Sequence, residues 1–171
     1  MSMKILIVSD THRRDDNLRY VIRKTEPFDM LIHLGDIEGS ENYLREWVNN
    51  DQCAIYAVRG NNDFFSNLDK EKEISIGGYR ALLTHGHMYG VSLGPEGIEE
   101  EAKARNLDIV MFGHTHKPFL QRTDRLTILN PGSLSYPRQD GRKPSYMVME
   151  IDRFGKAHYT INYIEKDEIF F

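Results

Sequence analysis

Residues Lys4–His12 read KILIVSDTH, an apolar run of strand-forming residues that stops at a polar turn carrying a carboxylate and an imidazole. The same pattern recurs four more times. MLIHL at Met30–Leu34 leads into Gly35-Asp36, and AIYAV at Ala54–Val58 leads into Gly60-Asn61-Asn62-Asp63. ALL at Ala81–Leu83 precedes His85-Gly86-His87, and IVMF at Ile109–Phe112 precedes Gly113-His114-Thr115-His116. Runs that are apolar at consecutive positions suit strands buried on both faces. Amphipathic stretches with helical spacing lie between them: Asn17–Lys24 with Leu18, Val21 and Ile22, Ser40–Val48 with Leu44, Trp47 and Val48, and Pro95–Arg105 with an acidic start. Gly77-Gly78, between Glu73–Ile76 and Tyr79–Leu83, marks a tight hairpin. Thr127–Leu129, Ser145–Ile151 and Ala157–Ile164 then follow as strands without helices between them. Early βαβ units followed by a run of strands predict an α/β fold with one mixed sheet, or with two stacked sheets and helices outside.

The bulk properties restrict what such a fold does. The chain has 171 residues, 40% hydrophobic and 28% charged, with no linker, repeat or low-complexity segment, which predicts a single domain over 1–171. No apolar run approaches the ~18 residues of a membrane span, and no export signal is evident. Cys53 is the only cysteine, which excludes an internal disulfide and a thiolate-rich zinc site and favours a cytoplasmic location. A net charge of −4, with Lys and Arg scattered, offers no grip for a long nucleic acid. An anionic substrate therefore needs positive charge from elsewhere, and metal ions supply it.

Each polar cluster taken singly is explained by turn chemistry. Together they are not, because turns would draw more readily on Ser, Pro and Gly, whereas these carry Asp, Asn and His. Five of the seven histidines fall in them. Ligands of open α/β sheets bind outside the carboxyl ends of the strands, so five turns at one edge of one sheet would bring these side chains together. Imidazole with carboxylate and amide oxygen, and no thiolate, suits Mn²⁺, Fe or Zn²⁺. Seven candidate ligands exceed one tetrahedral site and fit two ions ~3.5–4 Å apart, joined by a bridging carboxylate and water.

The order Asp10-x-His12, Gly35-Asp36, Gly60-Asn61-x-Asp63, His85-Gly86-His87, Gly113-His114-x-His116 resembles the signature of calcineurin-like metallophosphoesterases. The short length and Asn130-Pro131-Gly132-Ser133 resemble the small bacterial and archaeal phosphodiesterases of that family. The resemblance implies a four-layer α/β/β/α fold, two mixed sheets stacked and flanked by helices. It also implies that Asp10, His12 and His116 hold one divalent ion, that Asn61, His85 and His114 hold the other, and that Asp36 bridges them. Mn²⁺ is the expected metal, with Fe, Zn and Ni as alternatives. The implied reaction is phosphodiester hydrolysis on a small phosphate ester by in-line attack of a bridging hydroxide. A phosphomonoesterase or nucleotide-specific hydrolase on the same site stands as the alternative, as does a catalytically silent binding scaffold.

Two positions depart from the family. Asn62 stands where larger members carry a histidine, and an amide cannot deliver a proton, so slower turnover or a preference for good leaving groups is expected. Arg13 follows His12 where a small residue is usual, either as a solvated loop charge or as a clamp on a distal phosphate. Asn62, Asp63 and His87 are assigned a substrate-facing or ligand-supporting role. His33, within a strand, reads as a satisfied core residue, and Ser133 as loop structure beside the site. Phe170-Phe171 either packs against a second copy, forming a homo-oligomer, or frays.

Overall fold

In the computed structural model, which describes residues 2–168, ten strands form two five-stranded mixed sheets. The order is β1 (Met3–Val8), α1 (Asp16–Thr25), β2 (Met30–His33), α2 (Leu44–Trp47), β3 (Ala54–Ala57), β4 (Glu71–Ile76), β5 (Tyr79–Thr84), α3 (Glu96–Ala104), β6 (Ile109–Met111), β7 (Pro118–Arg122), β8 (Thr127–Pro131), β9 (Ser145–Ile151) and β10 (Ala157–Tyr163). The first sheet runs β10-β9-β1-β2-β3, with β1, β2 and β3 parallel and β9 antiparallel to both of its neighbours, β1 and β10. The second runs β4-β5-β6-β8-β7, with β5, β6 and β8 parallel inside antiparallel edges.

The consecutive apolar runs explain the layering. Within β1, Ile5 and Ile7 point to the inter-sheet core with Ile32, Leu83, Met111 and Leu129. Leu6 and Val8 point the other way, onto Leu18, Val21 and Ile22 of α1. In the second sheet Leu82, Val110 and Ile128 likewise turn outward onto Ile98 and Ala102 of α3. Strands apolar on both faces require cover on both faces, and the result is helix, sheet, sheet, helix. Each fully buried Leu, Ile or Val in these layers is worth roughly 1.5–3 kcal/mol.

Three expectations are corrected. The five polar turns do not share one sheet. Those after β1, β2 and β3 belong to the first sheet, and those after β5 and β6 belong to the second, so the ligand cluster spans the seam between the sheets. The stretch Ser40–Val48 forms a 3₁₀ turn at Ser40–Tyr43 and a single α turn, α2, rather than one continuous helix. Strand β7 was not anticipated: proline opens it and it forms the sheet's edge, where a missing N–H leaves no ladder bond unmade. The Phe170-Phe171 end lies outside the described residues. Among the described residues no helix is long and apolar enough to cross a membrane.

Candidate metal centre

The turn after β1 carries Asp10 and His12, and the turn after β2 carries Asp36. The β3 turn supplies Asn61 and the β5 turn His85, while the β6 turn brings His114 and His116. Five of these seven, Asp10, His12, Asp36, His114 and His116, adopt left-handed backbone with φ between 47° and 70°. Only a few per cent of non-glycine residues do so, and such strain concentrates where side chains must be aimed. Glycines let the turns approach. A Cβ on Gly60 would collide with the Asp36 carboxylate, and one on Gly113 would meet Ser9 and Asp10.

The side chains converge as two overlapping sets. His116 Nε2 lies 3.2 Å from Asp10 Oδ1 and 3.2 Å from His12 Nε2. On the other side, His85 Nε2 is 3.3 Å from Asp36 Oδ2 and 3.7 Å from Asp10 Oδ1. His12 Nε2 is 3.7 Å from that same Asp36 oxygen. Asn61 Oδ1 and His114 Nδ1 meet at 3.0 Å, and the His114 ring lies 5.2 Å from that of His85. Asp10, His12 and His116 form one group with donor atoms close enough to share an ion, and Asp10, Asp36 and His85 form another.

The atoms aimed inward fit a cation. Asp10 Oδ1 and His85 Nε2 are buried without any hydrogen-bond partner, although their outer atoms are all engaged. Asp10 Oδ2 accepts from Ser9 Oγ at 2.6 Å and from the His114 backbone N–H at 3.0 Å. His85 Nδ1 pairs with the Leu34 carbonyl at 2.7 Å, and His116 Nδ1 with the Tyr136 carbonyl at 2.7 Å. Such outer bonds fix ring orientation and raise ligand basicity. Asn130 Nδ2 donates to the Gly113 carbonyl and to Thr115 Oγ1, each at 3.0 Å, steadying the turn that carries both distal histidines.

Electrostatics agree. Burial opposes ionisation of Asp10, but His116, His12 and His85 outweigh it and hold its carboxyl far below the usual carboxylate range. Burial likewise disfavours the Asp36 carboxylate, yet His85 and Asn62 bring it down to about 2. Burial would lower His85, but Asp10 and Asp36 push it up to about 9. In the ion-free protein a proton on His85 thus offsets the charge of the buried carboxylates beside it, the task a bound cation takes over.

The other predicted residues lie around this cluster. Asn62 Nδ2 donates to Asp36 Oδ2 at 2.9 Å and the Asn62 N–H to Asp36 Oδ1 at 2.8 Å. Asp63 is buried behind the cluster and accepts four backbone N–H groups, from Asp36, Ile37, Glu38 and Gly60, at 2.7–3.0 Å. The His87 ring lies 5.5 Å from His85 and 6.0 Å from His114, with an unpartnered Nδ1. Arg13 Nε donates to the Glu38 carbonyl at 2.9 Å. His33 is fully buried, bonded to Thr11 Oγ1 at 2.9 Å, and Ser133 Oγ donates to the Asp10 carbonyl at 2.7 Å. Sequence reasoning missed the supporting Leu34 and Tyr136 carbonyls, because a backbone oxygen leaves no residue-type signal. Glu38, with Oε2 3.3 Å from His12 Nδ1, was missed as well, because a single loop carboxylate carries no motif.

Buried carboxylates and imidazoles at the mouth of a double-sheet α/β sandwich define a metal-dependent phosphoesterase. The profile of the calcineurin-like phosphoesterase superfamily domain matches residues 3–153, and the chain belongs to that family. Phosphodiesterase YfcE of Escherichia coli is 30% identical over 176 residues, covering 88% of this chain and 89% of the relative. A predicted phosphoesterase from Streptococcus pneumoniae superimposes with a TM-score of 0.80 at 25% identity, covering 98% of this chain and 92% of that one. Zinc-complexed Vps29 from Entamoeba histolytica shares the fold, with a TM-score of 0.72 at 22% identity, covering 94% of this chain and 99% of that one.

Proposed function

We propose that the chain is a single-domain cytoplasmic phosphodiesterase that works with two divalent ions, Mn²⁺ foremost, on a small phosphate ester. Asp10, His12 and His116 would hold one ion and Asn61, His85 and His114 the other, with Asp36 shared. The observation that carries this reading is the position of Asp36 Oδ2, 3.7 Å from His12 Nε2 and 3.3 Å from His85 Nε2. One carboxylate oxygen between two donor sets is what a bridging ligand requires. When bound, the ions neutralise phosphate charge and acidify a shared water.

The protein's own groups position and insulate. The Leu34 and Tyr136 carbonyls hold two imidazoles in one tautomer, Asn62 steadies Asp36, and Asn61 contributes a neutral oxygen that limits negative charge. His87, whose ring lies 5.5 Å from that of His85 and 6.0 Å from that of His114, is assigned to contact a substrate oxygen. The diester preference is supported by the phosphodiesterase relative, and the amide at position 62, which cannot protonate a poor leaving group, favours esters with good leaving groups.

The test is a comparison of bis(p-nitrophenyl) phosphate with p-nitrophenyl phosphate in the presence of Mn²⁺. A higher kcat/KM for the diester, abolished by chelator, is expected. Turnover of the monoester alone would move the assignment to a phosphomonoesterase or nucleotide hydrolase. A scaffold reading is favoured by Phe64 and Phe65, 68% and 101% exposed on the loop that follows Asp63. Tight metal binding with no turnover of either ester would establish it.

A further inference from the structure

An open cavity of about 500 Å³ adjoins the metal cluster, walled by His12, Glu38, His116, Tyr136, Arg138 and Arg142. His12 and His116 belong to both, so a group held at the cluster faces the cavity directly. Arg138 and Arg142 make no side-chain hydrogen bond or ion pair among the described residues. Other cations among the described residues also lack a carboxylate partner, but Arg138 and Arg142 share one cavity wall with two members of the cluster. In a chain of net charge −4, two unmatched guanidiniums in one cavity beside the reaction centre call for an anionic ligand. Glu38 is the acid on these walls, and its Oε2 is already 3.3 Å from His12 Nδ1.

The segment that carries the arginines is tied to the cluster. The Arg138 N–H donates to the His116 carbonyl at 3.0 Å, the Tyr136 N–H to Ser133 Oγ at 2.8 Å, and Ser135 Oγ to the Arg14 carbonyl at 2.9 Å. Arg142 holds a left-handed φ of 45°, in a turn closed by its N–H to the Gln139 carbonyl at 3.0 Å. The Tyr136 and His12 rings meet in a T-shaped arrangement at 5.4 Å, and the Arg14 guanidinium lies over the Tyr136 ring at 5.4 Å. An aromatic wall and forked donors on an anchored loop suit recognition of a phosphorylated, ring-bearing alcohol.

We propose that this cavity is a substrate subsite for a second phosphoryl group, borne by one of the two alcohols of the phosphodiester, with Arg138 and Arg142 as specificity-determining residues. The assignment rests on the phosphodiesterase reading above. Water oxygen forms the new bond to phosphorus, the bond to one alcohol breaks, and that alcohol leaves with a proton. The second phosphoryl group stays intact on its own alcohol.

Thymidine 5′-(p-nitrophenyl phosphate), with and without a 3′-phosphate, forms a matched pair for the test with Mn²⁺. The 3′-phosphorylated compound is expected to show kcat/KM about tenfold higher, the scale of a charge-assisted hydrogen bond. That ratio should fall towards one in R138A/R142A, with each single variant between. A ratio of one in the wild type, or an unchanged ratio in the folded double variant, would overturn the subsite. If no diester is hydrolysed, bis(p-nitrophenyl) phosphate included, the phosphodiesterase reading fails by itself. Calorimetric titration with adenosine 3′,5′-bisphosphate then decides the subsite. Binding about tenfold weaker in R138A/R142A supports it, and equal affinity or no binding to the wild type overturns it.

Discussion

His33 sits fully buried in β2 between Thr11 and the Gly35 N–H, and burial brings its pKa down to about 4. Its ordinary value is 6.5, so between pH 6.5 and 4 the unfolded chain takes a proton that the folded chain refuses. The stability this group contributes is therefore full above pH 6.5 and lost as pH falls towards 4, a difference of about 3 kcal/mol. In chelator, denaturant titrations of His33→Gln should show a visibly shallower fall between pH 6.5 and 4.5 than the wild type. Parallel slopes would refute a neutral buried imidazole. Asn62 supports a second prediction at this scale. Its amide holds Asp36 at 2.9 Å and has no proton to give. Asn62→His should raise turnover of alkyl diesters relative to p-nitrophenyl diesters by about a hundredfold, the low end of general-acid catalysis. An unchanged ratio would show that leaving-group protonation does not limit the wild type.

Asp63 extends the β2–β3 pairing and the Asn62–Asp36 bonds into the turns that follow these strands. Its carboxylate takes three N–H groups from the turn after β2 and one from the turn after β3, locking the Asp36 turn against the turn that carries Asn61. Asp63→Ala strands those buried donors, so a loss on the order of 3 kcal/mol in unfolding free energy is expected, with weaker metal binding as well. Near-wild-type stability would mean that water replaces the carboxylate without cost. The same elements show what was legible beforehand. Strands β1, β2, β5 and β6 announced themselves because both faces of each are apolar, and their ligands because Asp and His are rare together in ordinary turns. The hairpin at Gly77-Gly78 was equally plain from its turn chemistry. The division of five turns between two sheets was not legible, since it depends on long-range pairing of β1 with β9 and of β6 with β8. The Leu34 and Tyr136 carbonyls and the four-fold role of Asp63 are backbone interactions, visible only once the turns are folded.

Because three turns of one sheet and two of the other supply the cluster, ions bound there tie the two halves of the molecule together across their shared edge. Metal that binds only the folded chain must raise its stability in proportion to the logarithm of ion concentration over Kd. Mn²⁺ should thus raise the thermal midpoint of chelator-treated protein, and an Asp36→Ala variant should gain less. Protons oppose this binding. Asp10 and Asp36 push His85 up to about 9 against its burial, so in the ion-free protein this imidazole carries a proton at neutral pH that a metal must displace, and Asp10 raises His12 in the same direction. The sign is fixed: affinity falls as pH falls, by about tenfold per pH unit for each displaced proton, and levels off above about pH 9. Calorimetric titration with Mn²⁺ in buffers of different ionisation enthalpy at pH 7 counts those protons directly. A release of about one or more per site agrees with imidazoles standing in for cations. No release would mean that the carboxylates are neutralised by other means, and the account of the apo cluster would fall.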